Sequence, residues 1–338
     1  MTAGDSNLPR VVARPYRDDS DFWRVRNLLI ETYPITPTAF NWSTRRWDSQ
    51  RFHRAEAALD PRWAEGIRLW ETEGGRLVGV VSSENHSDFD AVLQVHPDYR
   101  HIEEQMLAWA EAHLAVPSQD GSKRRLLVSA LDYDTPRRRL LERRGYEKTS
   151  QGVVSRRLRF GQRAIPQSRL AAGYTLRTTR PGDMGDCLGV AELLNAAFEL
   201  SLDSLEEIRT FWAHSPSFRH DLDLVAEAPD GSLAAHVGVA YDPVTRCGIV
   251  EPMGTHPSHW RRGLALALLR EGLQRLCVFA QRTARRWGRA TRTWTRATRC
   301  RPTSCTMPPA LRKPTGAAFG ASGSRRATCL RFPRWAQR

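Results

Sequence analysis

The chain contains 338 residues, of which 41% are hydrophobic and 26% are charged, a length and composition typical of two globular domains with buried cores. No run approaches the roughly 18 apolar residues of a membrane-spanning helix, and the N-terminus lacks the apolar segment of a signal peptide, so we expect a cytoplasmic protein. The formal net charge is +14, and its excess of positive charge is confined to the C-terminal end. Residues 277–338 contain 15 Lys and Arg and no Asp or Glu, whereas residues 1–276 contain 36 basic and 37 acidic side chains.

The predicted elements occur in one order twice along the chain. In each copy a strand and a helix (residues 22–32 and 186–198) precede a hairpin, a further strand, a His-Pro turn and a second helix. The hairpin turns are Glu73-Gly74-Gly75 and Pro229-Asp230-Gly231. The two His-Pro turns begin 160 residues apart, at His96 and His256. This offset indicates an internal repeat, and chance similarity of two α/β segments is the alternative.

The first copy continues beyond its second helix with a strand over residues 124–133, a helix over residues 135–144 and the pair Gly145-Tyr146. The segment that follows is rich in glycine and proline, which is typical of a linker. We therefore predict a domain over residues 1–155, a linker over 156–173, a domain over 174–276 and an irregular or disordered basic tail over 277–338.

The segment after the second His-Pro turn has the features of a phosphate-binding site. A predicted strand over Cys247–Met253 leads into the turn, and Arg261, Arg262 and Gly263 open a helix. The start of a helix carries unpaired N–H groups and a partial positive charge, which suit an anionic phosphate. Gly263 permits a close approach of the ligand to the backbone, and Ala265 keeps the next turn narrow. The segment fits a pyrophosphate cradle, and an ordinary strand–turn–helix with an exposed basic start is the alternative.

The string HPSHWRRGLALALL, which starts at His256, resembles the acyl-CoA-binding motif of the GNAT superfamily of N-acetyltransferases. In that motif Arg or Gln is followed by two variable residues, Gly, one variable residue and Gly or Ala. Gly263 and Ala265 fit the motif, whereas Trp260 stands where Arg or Gln is usual and Arg261 follows it directly. The resemblance covers residues 11–276, in a tandem arrangement similar to that of mycothiol synthase.

This resemblance implies an α/β (α+β) fold of two tandem GNAT domains, each with a mixed, mostly antiparallel sheet flanked by helices. It implies transfer of an acetyl group from acetyl-CoA to a primary amine of a small molecule or peptide, without a metal ion. The implied cofactor-binding residues are Gly254, Thr255, Arg261, Arg262, Gly263, Leu264 and Ala265. The identity of the acceptor and the oligomeric state stay open.

Two carboxylates are candidates for the general base. Glu251 lies on the strand that enters the cradle, where GNAT enzymes often carry the carboxylate that accepts the proton of the amine. Glu227 on an earlier strand is a weaker second candidate, and a solvated strand carboxylate is the alternative for both. We expect His256 and His259 to serve the structure of the turn or to face solvent rather than to act as bases.

The first copy departs from the family pattern at the positions that carry chemistry. Residues 140–146, LLERRGY, are similar to a later motif of the family, but Leu141 replaces the tyrosine that usually protonates the departing thiolate. Glu103 replaces the cradle glycine, and a carboxylate there would repel a pyrophosphate. We therefore predict a degenerate first domain that has lost its cofactor site.

The tail has neither helical nor strand periodicity, and its composition is typical of a GC-rich gene translated out of frame. We shifted the reading frame over Thr293–Leu311, so that each new codon combines the third base of one codon with the first two bases of the next. With permitted codon choices, the shifted frame can encode VDTGDAVPANVLYDAAGF. This string carries the Pro-Ala-Asn, Leu-Tyr and Gly-Phe elements of the family in order. Our hypothesis is a single-frame slip between about Leu276 and Trp287, which leaves the second domain without its thiolate-protonating tyrosine and closing strands.

Two other function classes stay open for the tail and the chain. A genuine Arg-rich arm would bind nucleic acid through its cations, with Trp287 and Trp294 stacking on bases. A chain with an incomplete second domain would instead be a non-catalytic pseudo-enzyme or scaffold. Cys300 and Cys305 lack a second Cys or His pair at zinc spacing, so we expect no metal site.

Overall fold

The computed structural model describes residues 10–53, 61–84, 89–118, 124–160, 164–199, 204–290 and 316–321. These residues divide into two units. The first takes in residues 10–47, the described part of 61–156 and residues 316–321, and the second takes in residues 48–53 and the described part of 157–290. Within the described ranges, no helix has both the length and the apolar character needed to cross a membrane.

Helices and strands alternate along both units. The strands are β1 (Val11–Pro15), β2 (Arg68–Thr72), β3 (Leu77–Ser82), β4 (Asp90–Val95), β5 (Val116–Pro117), β6 (Arg124–Arg125), β7 (Leu127–Leu131), β8 (Tyr146–Val153), β9 (Thr175–Thr178), β10 (Asp223–Glu227), β11 (Leu233–Asp242), β12 (Cys247–Thr255) and β13 (Gly316–Ala321). The α-helices are α1 (Asp19–Thr32), α2 (Thr44–Phe52), α3 (Pro61–Glu65), α4 (Glu103–His113), α5 (Thr135–Arg143), α6 (Met184–Phe198), α7 (Leu205–His214) and α8 (Leu264–Ala290). Short 3₁₀ turns cover Pro97–Ile102, His220–Leu222 and Pro257–His259. The order predicted from the sequence is present in each unit, and α2, α3 and α7 are additional helices.

The first unit is built on a sheet with the strand order β1-β2-β3-β4-β7-β13-β8. Its strand pairs are antiparallel, except that β4 and β7 run parallel and pair at only two positions. All six residues of β3 are buried, as expected of a central strand. Gly79 on β3 has no room for a side chain, because a Cβ atom would lie 3.0 Å from Ile102 and 3.3 Å from Met106. Helix α4, which carries Met106, therefore packs closely on this sheet.

The second unit has a fully antiparallel sheet in the order β12-β11-β10-β9. Val225 packs with α6, whereas its neighbours Leu224 and Ala226 pack with α8. Since successive side chains of a strand point to opposite faces, α6 and α8 cover opposite faces of the sheet. Among the described residues, this sheet ends at β12, which leaves the outer edge of β12 without a neighbouring strand.

Side-chain caps determine where several helices begin. The carboxylate of Asp18 accepts a hydrogen bond from the backbone N–H of Ser20 at 2.8 Å at the start of α1. Asp183 does the same for the N–H of Asp186 at 2.8 Å at the start of α6. Both caps satisfy N–H groups that the first helical turn leaves unpaired, which explains why each helix begins at an aspartate after its strand.

The same arrangement of charged side chains occurs in both units. An arginine on the first strand binds one carboxylate of the following helix and one of the adjacent strand; the two sets are Arg14 with Asp21 and Glu71, and Arg177 with Asp186 and Glu227. The guanidinium nitrogens lie 2.7 and 2.5 Å from the helix carboxylate in the first unit and 2.8 and 2.7 Å in the second. Burial would raise the pKa of both aspartates, but the arginine hydrogen bonds outweigh it and hold each pKa below its ordinary value. A matched set of this kind agrees with an internal repeat.

The structure differs from the sequence-based expectations near the C-terminus. Helix α8 continues past Leu276, where we predicted the second domain to end, and runs to Ala290. The ring of Phe279 packs against that of Tyr241 with centroids 5.1 Å apart, so residues beyond 276 still belong to the second core. Residues 316–321 of the predicted irregular tail form strand β13, which pairs with β7 and β8. The other residues of the tail beyond Ala290, including Trp294, Cys300 and Cys305, lie outside the described residues.

The predicted linker belongs to the second unit from residue 157 onward. The hydroxyl of Ser168 donates to the carbonyl oxygen of Ala267 at 2.8 Å, and the amide of Gln274 donates to that of Pro166 at 3.0 Å. Ala267 and Gln274 both belong to α8, so the end of the predicted linker runs along this helix.

Candidate active site

Strand β12, which carries Glu251, contains a bulge at the centre of the candidate site. Val237 pairs with Met253, but Val239 pairs with Val250, so two residues of β12 lie opposite Gly238 on β11. A Cβ atom on Gly238 would lie 2.9 Å from the carbonyl oxygen of Glu251, so only glycine fits at this position. A bulge of this kind redirects the side chains of the bulged strand. The side chain of Glu251 is half-buried and makes no hydrogen bond or ion pair with the described residues, so its carboxylate is available to accept a proton.

The two histidines after β12 hold the turn together, as we expected from the sequence. The backbone N–H of His256 donates to the carbonyl of Ala234 at 2.9 Å, and its Nδ1 atom accepts from the N–H of Ser258 at 3.3 Å. The Nδ1 atom of His259 lies 2.8 Å from the hydroxyl of Tyr174. In the first unit His96 caps its own turn in the same way, with Nδ1 accepting from the following N–H at 3.2 Å.

The start of α8 is exposed and basic. Arg261 and Gly263 have φ angles of 62° and 72°, in the left-handed region, and Gly263 is the residue type that adopts this conformation without strain. No atom lies within 4 Å of a Cβ placed on Gly263, so the space above this backbone is open. Arg261 and Arg262 are also exposed, and the first turn of α8 contains no acidic residue. Unpaired N–H groups, two cations and an open backbone at one helix start suit an anionic ligand.

The remaining predicted cofactor residues lie around the same turn and the first turn of α8. Leu264 is buried beneath the helix start, and Gly254 faces α6, where a Cβ would lie 3.1 Å from the Cβ of Ala197. The carbonyl of Thr255 accepts a hydrogen bond from the indole N–H of Trp260 at 2.9 Å. Trp260, which replaces the usual Arg or Gln, therefore ties the end of β12 to the turn. Ala265 lies half-buried in the first turn of α8.

The corresponding helix start of the first unit is closed by an ion-pair cluster. Glu103 stands 160 residues before Gly263 and is 3% exposed. Its carboxylate lies 2.5 Å from Nε of Arg100 and 2.9 Å from Nε of Arg137, while Nη2 of Arg100 lies 2.7 Å from Asp134. Burial would raise the pKa of Glu103, but the charges of Arg137 and Arg100 outweigh it and lower the pKa below its ordinary value. The arginines near this helix start are therefore already paired with a carboxylate of the protein itself.

Glu227, the second candidate for the base, is not available. Its Oε2 atom accepts a hydrogen bond from Nε of Arg177 at 2.6 Å, within the repeated set of charges. The partner lies 50 residues away in the chain, so the sequence alone did not reveal this ion pair.

Sequence reasoning also missed a buried histidine–aspartate pair on the neighbouring strands. Nε2 of His236 on β11 lies 2.8 Å from Oδ1 of Asp223 on β10, and both side chains are almost completely buried. The signal in the sequence is weak, because Asp223 stands at the very start of β10 and His236 is a polar residue within the apolar run of β11. Among the described residues, no group of three or more His, Cys, Asp or Glu side chains is arranged to hold a metal ion.

Part of the second unit, including this site, matches a protein-family model. Residues 188–288, which contain the bulged strand and the start of α8, match the model of the acetyltransferase (GNAT) family. A GCN5-related N-acetyltransferase from Sphaerobacter thermophilus is 17% identical, with a TM-score of 0.51 over 94% of this chain and 96% of that chain.

A tandem GNAT protein from the clavulanic acid biosynthesis pathway is 16% identical, with a TM-score of 0.53 over 94% of this chain and 100% of that chain. At these identities the two structures show the fold, which is a GNAT-like mixed α/β fold with antiparallel sheets flanked by helices. A comparison with curated proteins gives no match to the sequence.

Proposed function

We propose that the chain is an N-acetyltransferase whose second unit transfers an acetyl group from acetyl-CoA to a primary amine of a small molecule or peptide. The observation that carries this proposal is the open, acid-free start of α8 directly after the bulged strand β12, inside the segment that matches the GNAT family. The phosphates of acetyl-CoA would contact the backbone N–H groups at Gly263 and the charges of Arg261 and Arg262.

The chemistry requires a base and a polarised thioester. A base near the bulge would remove a proton from the acceptor ammonium, directly or through one water, and Glu251 is a candidate because its carboxylate has no other partner among the described residues. The neutral amine then attacks the thioester carbonyl, the C–N bond forms, the C–S bond breaks and CoA leaves as the thiolate. Backbone N–H groups at the outer edge of β12 would polarise the carbonyl oxygen during this step.

The first unit would support the second rather than bind acyl-CoA itself. Glu103 already engages Arg100 and Arg137, so the cations near that helix start are neutralised by the protein's own carboxylate. The matched charge sets and the matched His-Pro turns support a tandem arrangement of two GNAT domains.

The sequence beyond the second core supports a frame slip. The packing of Phe279 and Ala280 with the second core favours a slip after residue 280 rather than directly after Leu276. We infer that such a chain has impaired activity, because the family's later tyrosine motif would be absent. Sequencing the gene from codon 270 past the stop codon tests this, and an intact frame without a hidden motif in the neighbouring frame would refute it.

Calorimetric titration of the full chain with acetyl-CoA, compared with a variant at the helix start, tests the cofactor site. Gly263→Glu places in the second unit the residue type that closes the first, and like-charge repulsion should weaken binding about 100-fold. Gly263→Asn is the matched control, because asparagine tolerates a positive φ without adding charge. Val278→Glu, on an exposed position further along the same helix, controls for the change in net charge.

Thiol release during incubation with a panel of amines then separates the remaining alternatives. Turnover with an aminoglycoside, a polyamine or a peptide would identify the acceptor class. Binding of acetyl-CoA without turnover by any amine would favour the non-catalytic scaffold. If the wild-type chain does not bind acetyl-CoA, the proposed function is wrong.

A further inference from the structure

Four polar side chains form a hydrogen-bonded chain inside the second unit. Oδ1 of Asp223 lies 2.8 Å from Nε2 of His236, and the hydroxyl of Thr179 donates to Oδ2 of Asp223 at 2.8 Å. The same hydroxyl oxygen lies 3.2 Å from Nδ1 of His220. Thr179, Asp223 and His236 are 1%, 3% and 3% exposed, whereas His220 is half-buried.

The contacts determine which nitrogen of His236 carries the proton. A carboxylate accepts hydrogen bonds and does not donate them, so the Nε2 atom that faces Asp223 must bear hydrogen. In neutral imidazole the other nitrogen is then a lone-pair acceptor. Nδ1 of His236 is buried and has no hydrogen-bond partner among the described residues. Asp223 thus orients a buried base whose accepting atom is unused within the protein.

The strand register places this pair beside the candidate site. His236 pairs with Gly254 on β12, and Asp223 pairs with Gly238, which faces the bulge at Glu251. A Cβ on Gly238 would lie 3.4 Å from Oδ1 of Asp223 and 2.9 Å from the carbonyl oxygen of Glu251. Gly238 therefore lies between the carboxylate of Asp223 and the bulge at Glu251.

The pair also lies on the face of the sheet that α8 does not cover. Gly254 faces α6, and residues directly opposite in an antiparallel pair share a face, so His236 faces the α6 side. The start of α8, where the phosphates would bind, therefore lies with the opposite face of the sheet. An amine that approaches the thioester from the α6 side would come to the bulge next to His236.

Other titratable groups of the described residues lie near the pair. Cys187 on α6 interacts electrostatically with Asp223, and burial, with the charges of Asp186 and Asp183, raises its pKa to about 11, so its thiol stays neutral near pH 7. Arg209 on α7 opposes this shift. The remaining groups are His220 in the preceding turn, the neighbour of Thr179, and Glu251 on β12.

We propose that His236, held by Asp223 and Thr179, is a proton acceptor of the second unit and takes the proton of the acceptor ammonium. This inference rests on the proposed function. One proton of the ammonium moves to Nδ1 of His236, directly or through one water, and leaves a neutral amine. The amine forms the C–N bond as the C–S bond breaks, and a second proton passes from the amine nitrogen to the leaving sulfur of CoA. The imidazolium then returns its proton to water.

Nuclear magnetic resonance on the full chain, with ¹⁵N-labelled histidine, tests the proton acceptor without requiring turnover. We expect a neutral Nε2–H tautomer in which Nδ1 is the unprotonated, accepting nitrogen. Asp223→Asn should change the tautomer populations, because it removes the carboxylate that holds the proton on Nε2. Thr179→Val should change the ring nitrogen signals as well, whereas Thr179→Ser, which keeps the hydroxyl, should restore them. An Nδ1–H tautomer in the wild-type chain would overturn the proposal.

Kinetics with an amine acceptor provide the second readout. His236→Gln should lower kcat about 100-fold and remove the acidic limb of the pH profile, with little change in the KM for acetyl-CoA. His113→Gln, at an exposed position of the first unit, is the control and should leave both unchanged. Full activity with an unchanged pH profile in His236→Gln would refute the role of His236 and leave the proposed acetyltransferase intact. The expected Nε2–H tautomer of His236 in a chain that turns over no amine would support the oriented histidine–aspartate pair and count against the proposed function.

Discussion

The ion-pair cluster of the first unit makes a quantitative prediction at Glu103. Glu103→Ala removes the carboxylate that pairs with both Arg100 and Arg137, and the side chain of Arg137 is only 6% exposed. Removing one partner of a buried pair costs up to about 3–5 kcal/mol, and here Asp134 at 3.8 Å is the carboxylate that stays near Arg137. We therefore expect Glu103→Ala to lower the free energy of unfolding of the first unit by about this amount. Urea unfolding followed by tryptophan fluorescence reports on this unit, because Trp47, Trp63 and Trp70 are buried within it.

The same residue provides a matched control and a pH dependence. Glu104 follows directly on the same helix, but its side chain is 62% exposed and pairs with Arg144 at 3.7 Å. Glu104→Ala should cost less than about 1 kcal/mol, as surface ion pairs do. The pKa of Glu103 is lowered in the folded state, so its contribution is present above its unfolded pKa of about 4.3 and is lost as the pH falls through the lower folded value. The stability difference between the wild type and Glu103→Gln should therefore shrink below about pH 4.

Anion rescue tests whether Glu103 acts as a resident anion. If the carboxylate fills an anion site, millimolar phosphate should stabilise Glu103→Ala more than it stabilises the wild type or Glu104→Ala. Equal losses of stability in Glu103→Ala and Glu104→Ala would refute the argument that burial makes this cluster costly to break. Equal stabilisation of all three proteins by phosphate would show that no anion site is uncovered.

Two further predictions concern the second unit. Gly238→Ala places a methyl group 2.9 Å from the backbone oxygen of Glu251. We expect it to lower the free energy of unfolding in urea by about 1–3 kcal/mol, and to lower turnover because the bulge is displaced. Wild-type stability of this variant would mean that the two strands move apart without an energetic cost. Phe279→Ala should cost about 1–2 kcal/mol, because the half-buried ring loses its contact with Tyr241, whereas Val278→Ala at an exposed position should cost much less. Equal unfolding curves for the two alanine variants would place the end of the second core before residue 278.

Local signals in the sequence were sufficient for the repeated order of elements. The glycine-containing hairpin turns and the two His-Pro turns are short-range features, and each appears in the structure where it was predicted. Helix α2 was missed because the sequence of Thr44–Phe52 has no regular spacing of apolar residues. Strand β13 was missed because its partners, β7 and β8, lie far away in the chain.

The chemistry of the site was harder to predict than its position. The exposed start of α8 follows from residues close together in sequence, so Arg261, Arg262 and Gly263 were identified from the sequence as candidates. The ion pair of Glu227 and the contact of His236 with Asp223 depend on partners 50 and 13 residues away, which strand pairing brings together. A carboxylate or imidazole can be assigned a role as a base only when its partners are known, and these partners are tertiary.

One position in the repeat would account for the different roles that we propose for the two units. Glu103 and Gly263 stand 160 residues apart, each after a His-Pro turn and at the start of a helix. With glycine there, the backbone is open and the neighbouring arginines face solvent; with glutamate there, the carboxylate is buried and its arginine partners are neutralised. Since arginines that are already paired with a carboxylate attract a phosphate less strongly, the first unit would keep the framework of the repeat without the ligand that we propose for the second.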